Sequence, residues 1–413
     1  MVLGVIEVVG IGAGGWESLG PAERSLLLQA EVVLGGRRHL DLLPAQAGQL
    51  RQPWPADLRS ALPGLVAGHD HRRTVVLASG DPLVFGVGST LIELFGHDQV
   101  RVHPAVSSVT LAAARMGWPY GTYEVLRITG DEVDSVRRHL GPARRLMILS
   151  RDGSTPGLVR EALTEAGFGR SKITVLADLG TPAESRWDEP GPIELPNLNI
   201  ACVTCVADRP YAAATLAPGL ADEVFDHDGQ LTKRDVRASA LAHLMPSPGQ
   251  LLWDVGAGAG SVGIEWCRIH PSCRAIAVER HSARAKRARL NAARLGVPEL
   301  QVVVAEAPAA LAELPAPDAI FVGGGASVEV IDCCWQALRP GGRLVMHAVT
   351  QQTETIMVEA WRRLGGGLTR IAIENMEPIG GYDGWKPARA VVQWSVQKPL
   401  DATGDPVGTG SAP

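Results

Sequence analysis

Short apolar runs separated by stretches able to form helices recur along this chain, and they do so twice, on either side of a single break near Asp208. In the first half the runs are VLGVIEVVGIG, RTVVLASGDP, RLMILSRD, KITVLADLG and NIACVTCVAD, with SSVTLAAARM and GLVREALTEAGF among the helix-capable spacers. From Leu231 they are LLWDVG, RAIAVE, LQVVVAE, DAIFVGG, GRLVMHAV, TRIAIENM and RAVVQWSV. Strands alternating with helices build α/β units, in which crossover helices cover the faces of a parallel sheet. The second set predicts one seven-stranded, mostly parallel sheet. Its last two strands are joined by EPIGGYDGWKPA, which holds no helix-length segment, so they should pair antiparallel. No internal repeat relates the halves, which read as two different folds.

The break itself, DRPYAAATLAPGLADEVFDHDGQ, is rich in Pro, Ala, Gly and acid and lacks a sustained apolar period. It reads as a linker. The expected organisation is a first domain at 1–208, a linker at 209–229, a second domain at 230–399 and a disordered tail at 400–413. The N-terminal MVLGVIEVVGIG has no Lys or Arg ahead of it and carries Glu7, which marks a first strand and not a signal peptide. No apolar stretch is long and uncharged enough to predict a membrane span. Six cysteines in 413 residues make no disulfide framework, and a cytoplasmic location is expected. Cys202-x-x-Cys205 lies in a strand-like run without a second Cys pair, so buried strand residues are expected and no metal. A net charge of -5 supplies no attraction to phosphate backbones or anionic lipid, and neither nucleic acid nor membrane is an expected partner. The basic run from His281 to Asn291 reads as the solvated face of a helix.

Chemistry is clearest at WDVGAGAGSVGIEW, an apolar strand entering Gly256-Ala257-Gly258-Ala259-Gly260 and then a helix. Glycines let the backbone turn sharply and approach a ligand that a Cβ would repel. The following run, RAIAVE, ends in Glu279, placed to accept hydrogen bonds from both hydroxyls of a ribose. A dinucleotide needs G-x-G-x-x-G to seat its pyrophosphate, whereas this loop is G-x-G-x-G preceded by Asp254. Thr232 and Asp235 match a capping box for the helix that precedes the sheet.

The loop spacing and its acid resemble class I methyltransferases, in which the segment around Ala307 contacts adenine. Together with TKRDVRA, AEAP and FVGGG, the stretch from 230 to 398 resembles the precorrin C15-methyltransferases that also decarboxylate an acetate side chain. That resemblance implies that Thr232 touches the cofactor. In the first half, VVGIGAGG, Ala78-Ser79-Gly80-Asp81-Pro82, HPAVSSVTLAAARMGWP and LMILSRDGSTPGLVREAL resemble the tetrapyrrole methylase family, specifically its precorrin C5-methylating branch. The family's Gly-x-Gly-Pro-Gly appears as Gly10-Ile-Gly12-Ala-Gly14-Gly15, without the proline. That resemblance implies a two-subdomain fold with the cofactor in the cleft, contacted at Gly12, Gly80, Asp81, Val84, Ser107 and Ser108. Gly-Asp-Pro alone marks a tight turn, with Pro82 suited to the first turn of a following helix.

The two resemblances imply one α/β chain with two S-adenosylmethionine sites, acting on a carboxylate-rich macrocycle of the cobalamin pathway. The implied reaction methylates precorrin-6B at C5 and C15, removes the ring C acetate carboxylate and gives precorrin-8. Relatives of both halves form oligomers, so a homo-oligomer is expected. Cations suit carboxylate clamping. Lys233, Arg234 and His347 are the catalytic candidates, with Arg237, Tyr382 and Trp385 as candidates for contact with the macrocycle. The alternative readings are an RNA or protein methyltransferase with an N-terminal recognition domain, a non-enzymatic sensor of S-adenosylmethionine, and an NAD-dependent dehydrogenase. The acidic charge, the two unlike sites and the loop spacing respectively weigh against them.

Overall fold

The computed structural model describes residues 5–69, 71–128, 132–191, 193–208 and 215–400. The expected tail beyond 400 and residues 209–214 of the expected linker lie outside them. Two compact units emerge: Met1–Val133 with Pro142–Asp208, and Asp134–Gly141 with Arg209–Pro413.

The first unit holds two sheets. Strands β1 (Ile6–Ile11), β2 (Val32–Gly35), β3 (Leu50–Pro53), β4 (Thr74–Ser79) and β5 (Val100–His103) form a parallel sheet in the order β3-β2-β4-β1-β5. The apolar runs predicted as strands fill its centre: Val8, Val9, Val76 and Leu77 have no exposure, as expected where helices cover both faces. The second sheet is mixed. It comprises β6 (Glu124–Ile128), β7 (Arg145–Ser150), β8 (Lys172–Ala177), β9 (Ser185–Asp188) and β10 (Asn199–Thr204), in the order β6-β7-β10-β8-β9, with only β6 and β7 parallel. This is the two-subdomain arrangement expected of the first half. Cys202 is buried in β10 and Cys205 just beyond it, both as free thiols. Burial pushes the Cys202 thiol up to about 12.

The second unit is built on β11 (Leu251–Val255), β12 (Arg274–Val278), β13 (Gln301–Val303), β14 (Ala319–Val322), β15 (Arg343–Ala348), β16 (Gly367–Ile371) and β19 (Val391–Gln397). Their order is β13-β12-β11-β14-β15-β19-β16, and β19 runs antiparallel to both of its neighbours. The expected seven-stranded, mostly parallel sheet and its antiparallel final pair are present. Between the last two members lies a separate hairpin, β17 (Glu374–Ile379) and β18 (Tyr382–Pro387), which the sequence reading ran together with its neighbours.

Part of the expected linker is core. Leu220 and Phe225 are buried in the same apolar cluster as Leu241, Trp266 and Phe321. What hides them in the sequence is their spacing: two large apolar residues among small and acidic ones show no period. Glu265, on the helix Ser261–Ile269, fixes this segment by accepting from the Gly219 and Leu220 amides at 2.6 and 3.0 Å. The helix Ser282–Arg294 carries the basic run, with Arg284 and Arg287 paired to Asp228 and Asp226.

Candidate active sites

A cavity of the second unit opens at the carboxyl ends of β11, β12 and β14, where ligands of open α/β sheets bind. The chain rises through β11 and turns at Gly256 and Gly258, whose φ angles of 71° and 57° disfavour any side chain. A Cβ on Gly256 would lie 2.6 Å from the Gly324 carbonyl oxygen, so glycine is required by the approach of the loop after β14. Gly256, Ala257 and Gly258 line the cavity together with Glu279 and Ala307. Ala259 and Gly260 do not. The third glycine instead serves packing, since a Cβ there would touch Ala288 at 3.0 Å.

Glu279 is 4% exposed, and its carboxylate is held in place from below. Oε2 accepts from the Gly258 amide and Oε1 from the His281 amide, each at 2.9 Å. Each oxygen keeps a further lone pair, the capacity a ribose diol needs. Asp254 lies deeper, wholly buried, with Oδ2 accepting from the Gly263 amide at 2.9 Å and Oδ1 without a partner. Burial, reinforced by the Glu279 charge, raises its carboxyl to about 7.

Thr232, Lys233 and Arg234 form another part of the wall. The capping box does not form: Lys233 is the N-cap of the helix Arg234–Leu244, and no side chain caps it. Thr232 instead holds its place through its carbonyl, which accepts from Arg237. Arg237 is therefore no substrate clamp. It has no exposure, pairs with Glu265 at 2.6 Å and Asp222 at 3.2 Å, donates to the Leu220 carbonyl and stacks over Phe225. Each of its three nitrogens donates inside the protein, and removing one partner of such a pair costs about 3–5 kcal/mol. Lys233 stands 3.6 Å from Asp222, while Arg234 has no carboxylate partner among the described residues.

His347 lies on β15 in the opposite wall, 9% exposed, with its Nε2 3.0 Å from Gln393 Oε1 and its ring edge-on to Phe321. Burial lowers it to about 4, so it is neutral at physiological pH and cannot act as a cationic clamp. Asn375, Glu377 and Arg389 complete that side of the cavity and were not singled out from sequence. Strand register separates the two aromatic candidates. Tyr382 pairs with Ile379 and so shares a face with the cavity-lining Asn375 and Glu377, whereas Trp385 pairs with Met376 on the other face. Trp385 therefore points away from the cavity. Neither aromatic lines it, and both are exposed, at 84% and 64%.

In the first unit four loops converge at the carboxyl edge of the parallel sheet. β1 continues into Gly12–Gly15, β4 into Gly80–Asp81 and β5 into Ala105–Ser107, while Gly180 follows β8 of the mixed sheet. The approach demands glycine at Gly10, where a Cβ would lie 2.1 Å from the Gly80 carbonyl oxygen, and is tight at Gly14, where one would lie 3.3 Å from that of Gly180. Gly80 itself, at φ 54°, faces the Ser107 backbone. Asp81 closes the turn by accepting from the Leu83 amide at 2.8 Å. The next helix does not begin at Pro82 as expected. Phe85 takes a positive φ of 51° and the helix starts at Val87, leaving 82–86 as a loop folded back on Pro82. Val84 packs against the core of the mixed sheet. Ser107 caps the helix Ser108–Met116 through the Thr110 amide at 3.0 Å.

Two clusters of glycine-rich loops, each at the carboxyl edge of a parallel sheet and each in its own unit, are the candidate sites of a two-unit α/β protein. Residues 5–192 match the model of the tetrapyrrole (corrin/porphyrin) methylases, and residues 223–398 that of the precorrin methyltransferase domain. A Sinorhizobium precorrin-6Y C(5,15)-methyltransferase [decarboxylating] is 43% identical over 95% of this chain and 96% of its own length. The protein of that name from Mycobacterium tuberculosis is 43% identical over 95% of this chain and all of its own. Among solved structures, the C-terminal domain of a Rhodobacter capsulatus precorrin-6Y C5,15-methyltransferase matches 45% of this chain and 100% of its own, at 44% identity and a TM-score of 0.43. The chain belongs to the precorrin-6Y C5,15-methyltransferase (decarboxylating) family, and is a methyltransferase. No helix among the described residues is long and apolar enough to cross a membrane.

Proposed function

We propose that this chain methylates precorrin-6B (6Y) at C5 in its first unit and at C15 in its second, where the ring C acetate is also decarboxylated, giving precorrin-8. The observation that carries the reading is the presence of two separate glycine-loop sites in one chain, each within a different methylase family match. S-adenosylmethionine is the methyl donor, supplying an electrophilic methyl group on sulfonium sulfur. In the second unit Glu279 holds the ribose, Gly256 to Gly258 admit the amino-acid moiety, and Ala307 borders the adenine. In the first, Gly12, Gly80, Asp81, Val84, Ser107 and Ser108 surround the nucleoside. The second-unit cavity of about 1040 Å³ lies at the upper end of the roughly 300–1,000 Å³ of ordinary ligand pockets, which leaves room for part of a macrocycle beside the donor. Neither methylation asks much of side chains beyond holding the carbon nucleophile in line, so positioning supplies most of the acceleration. Cytoplasmic operation as a homo-oligomer belongs to the same proposal.

Calorimetric titration of S-adenosylmethionine tests it. The intact chain is expected to show two sites, with Glu279→Ala losing one and Asp81→Ala the other. One site, abolished by Glu279→Ala alone, would reduce the first unit to substrate recognition.

A further inference from the structure

The helix Ser282–Arg294 turns four residues into the interior: Ala285, Ala288, Asn291 and Ala292. Three are alanines, and the other is an amide that is 1% exposed. Burying an amide costs free energy unless its hydrogen bonds are remade inside the protein, and an apolar side chain would fill the place without that cost. Asn291 remakes them with backbone. Its Nδ2 donates to the Ala259 carbonyl at 3.0 Å and to the Asp226 carbonyl at 2.9 Å, while Oδ1 accepts from the Asp226 amide at 2.9 Å and from Arg294 at 3.2 Å. Two carbonyls on one side and a backbone amide on the other allow only this orientation of the side chain.

Those partners come from two segments far apart in sequence, and both segments build the second-unit cavity. Ala259 lies in the glycine loop, next to the cavity-lining Gly258. Asp226 opens the stretch that leads to Thr232, of which Gly229, Gln230, Leu231 and Thr232 line the same cavity. The stretch passes directly over the loop, since a Cβ on Gly258 would lie 3.3 Å from the Gln230 carbonyl oxygen. A loop with this much glycine has wide conformational freedom and needs holding from outside. The outer side of the same helix adds Arg284 and Arg287, paired with Asp228 and Asp226 at 2.8 and 3.4 Å, but part-exposed ion pairs hold a segment weakly.

We propose that Asn291 is a positioning residue for the methyl-donor site of the second unit, locking the glycine loop and the segment 226–232 to one another and so setting the binding-competent form of the cavity. The inference rests on the reading of this cavity as a donor site. Asn291 does not line the cavity and acts through Ala259 and Asp226. Without the bridge the two walls move independently, and only a fraction of the molecules present the assembled site. Apparent affinity falls in proportion to that fraction, whereas saturating donor draws the population back. Affinity lost with turnover largely kept at saturation is therefore the signature, and a residue needed only for folding would not give it.

Calorimetry of S-adenosylmethionine with the full chain, hydrogen exchange read by mass, and turnover at C15 test the bridge. In Asn291→Ala the donor Kd at the second-unit site is expected to rise about tenfold or more, with kcat at saturating donor falling far less. Exchange at 226–232 and at 256–260 should quicken together. Asn291→Asp keeps the acceptor for the Asp226 amide but sets a carboxylate against two carbonyls, and is expected to lose at least as much affinity. Asp228→Asn, which removes the ion pairs with Arg284 and Arg287 from the same segment, should change Kd by less than about fivefold. Wild-type affinity in Asn291→Ala, quickened exchange in one segment alone, or an equal loss in Asp228→Asn overturns the proposal. Should neither Asn291 variant fold, the wild-type chain decides: the two segments are expected to open as one unit with a single denaturant dependence, and two distinct dependences overturn the bridge. Absence of donor binding at this cavity in the wild type would sink the methylation reading, while exchange would still decide whether the segments are locked together.

Discussion

At Asp254 the strand that enters the glycine loop carries a cost inside the protein. Its carboxyl is wholly buried, one oxygen has no partner, and its ionisation is displaced upward to about 7 by burial and by Glu279. A raised carboxyl binds its proton more tightly in the folded than in the unfolded chain. Stability therefore falls as pH rises from about 4 to 7, and the penalty is complete above that window. Asp254→Asn keeps an oxygen for the Gly263 amide and has no charge to bury. Relative to this variant, the wild type is expected to lose up to about 4 kcal/mol between pH 4 and pH 8, read from denaturant titrations at each pH. A difference between the two proteins that is flat with pH would mean that Asp254 is charged at little cost. Site residues were legible in sequence where their spacing follows from ligand geometry, as with Gly256, Gly258 and Glu279. Arg237 was misread as a clamp because a cation near a helix start looks solvated. Its position told otherwise: with Ala240, Leu241 and Leu244 it falls at three-, four- and seven-residue intervals, on the stripe that faces the core.

Between elements, one of the tight approaches in the first unit is β1 against the loop after β4. A Cβ on Gly10 meets backbone on two sides, the Gly80 oxygen at 2.1 Å and the Ala105 nitrogen at 2.7 Å, and backbone cannot swing aside as a side-chain tip does. Gly10→Ala is therefore expected to push apart three of the four loops that form this site, those after β1, β4 and β5. Calorimetry should find donor binding lost in the first unit and retained in the second, and full retention at both sites would show that the loops yield. The long apolar strands around this site were readable because two-sided burial demands continuous apolar runs. The strands missed were short: β2 has four residues, and β3, Leu-Arg-Gln-Pro, is a polar edge strand. In such segments neighbours supply the pairing, and no periodicity survives over four residues. The β17–β18 hairpin escaped notice for a related reason, since its exposed faces carry no alternation of buried and solvated positions.

Across the whole molecule, the sequence places a change of character near Asp208, but composition marks where a periodic pattern stops, not where a core begins. The second unit starts using its chain before Gln230: Leu220 is 1% and Phe225 4% exposed, and Asp222 and the 219–220 amides are partners of Arg237 and Glu265. It also draws on Asp134–Gly141, where Arg138 pairs with Glu299 at 2.9 Å. A fragment of residues 230–400 would forgo two large buried side chains, each contributing about 1.5–3 kcal/mol, and would leave the buried Arg237–Glu265 pair short of its backbone partners. Against a typical domain stability of about 5–15 kcal/mol, that loss removes a large fraction of the margin. A fragment of residues 215–400 retains these contacts and gives up only those of 134–141. It is expected to melt cooperatively and bind S-adenosylmethionine, whereas the fragment from 230 should lack a cooperative transition at the same temperature. Equal melting of the two fragments would show that residues 215–229 only decorate the second unit.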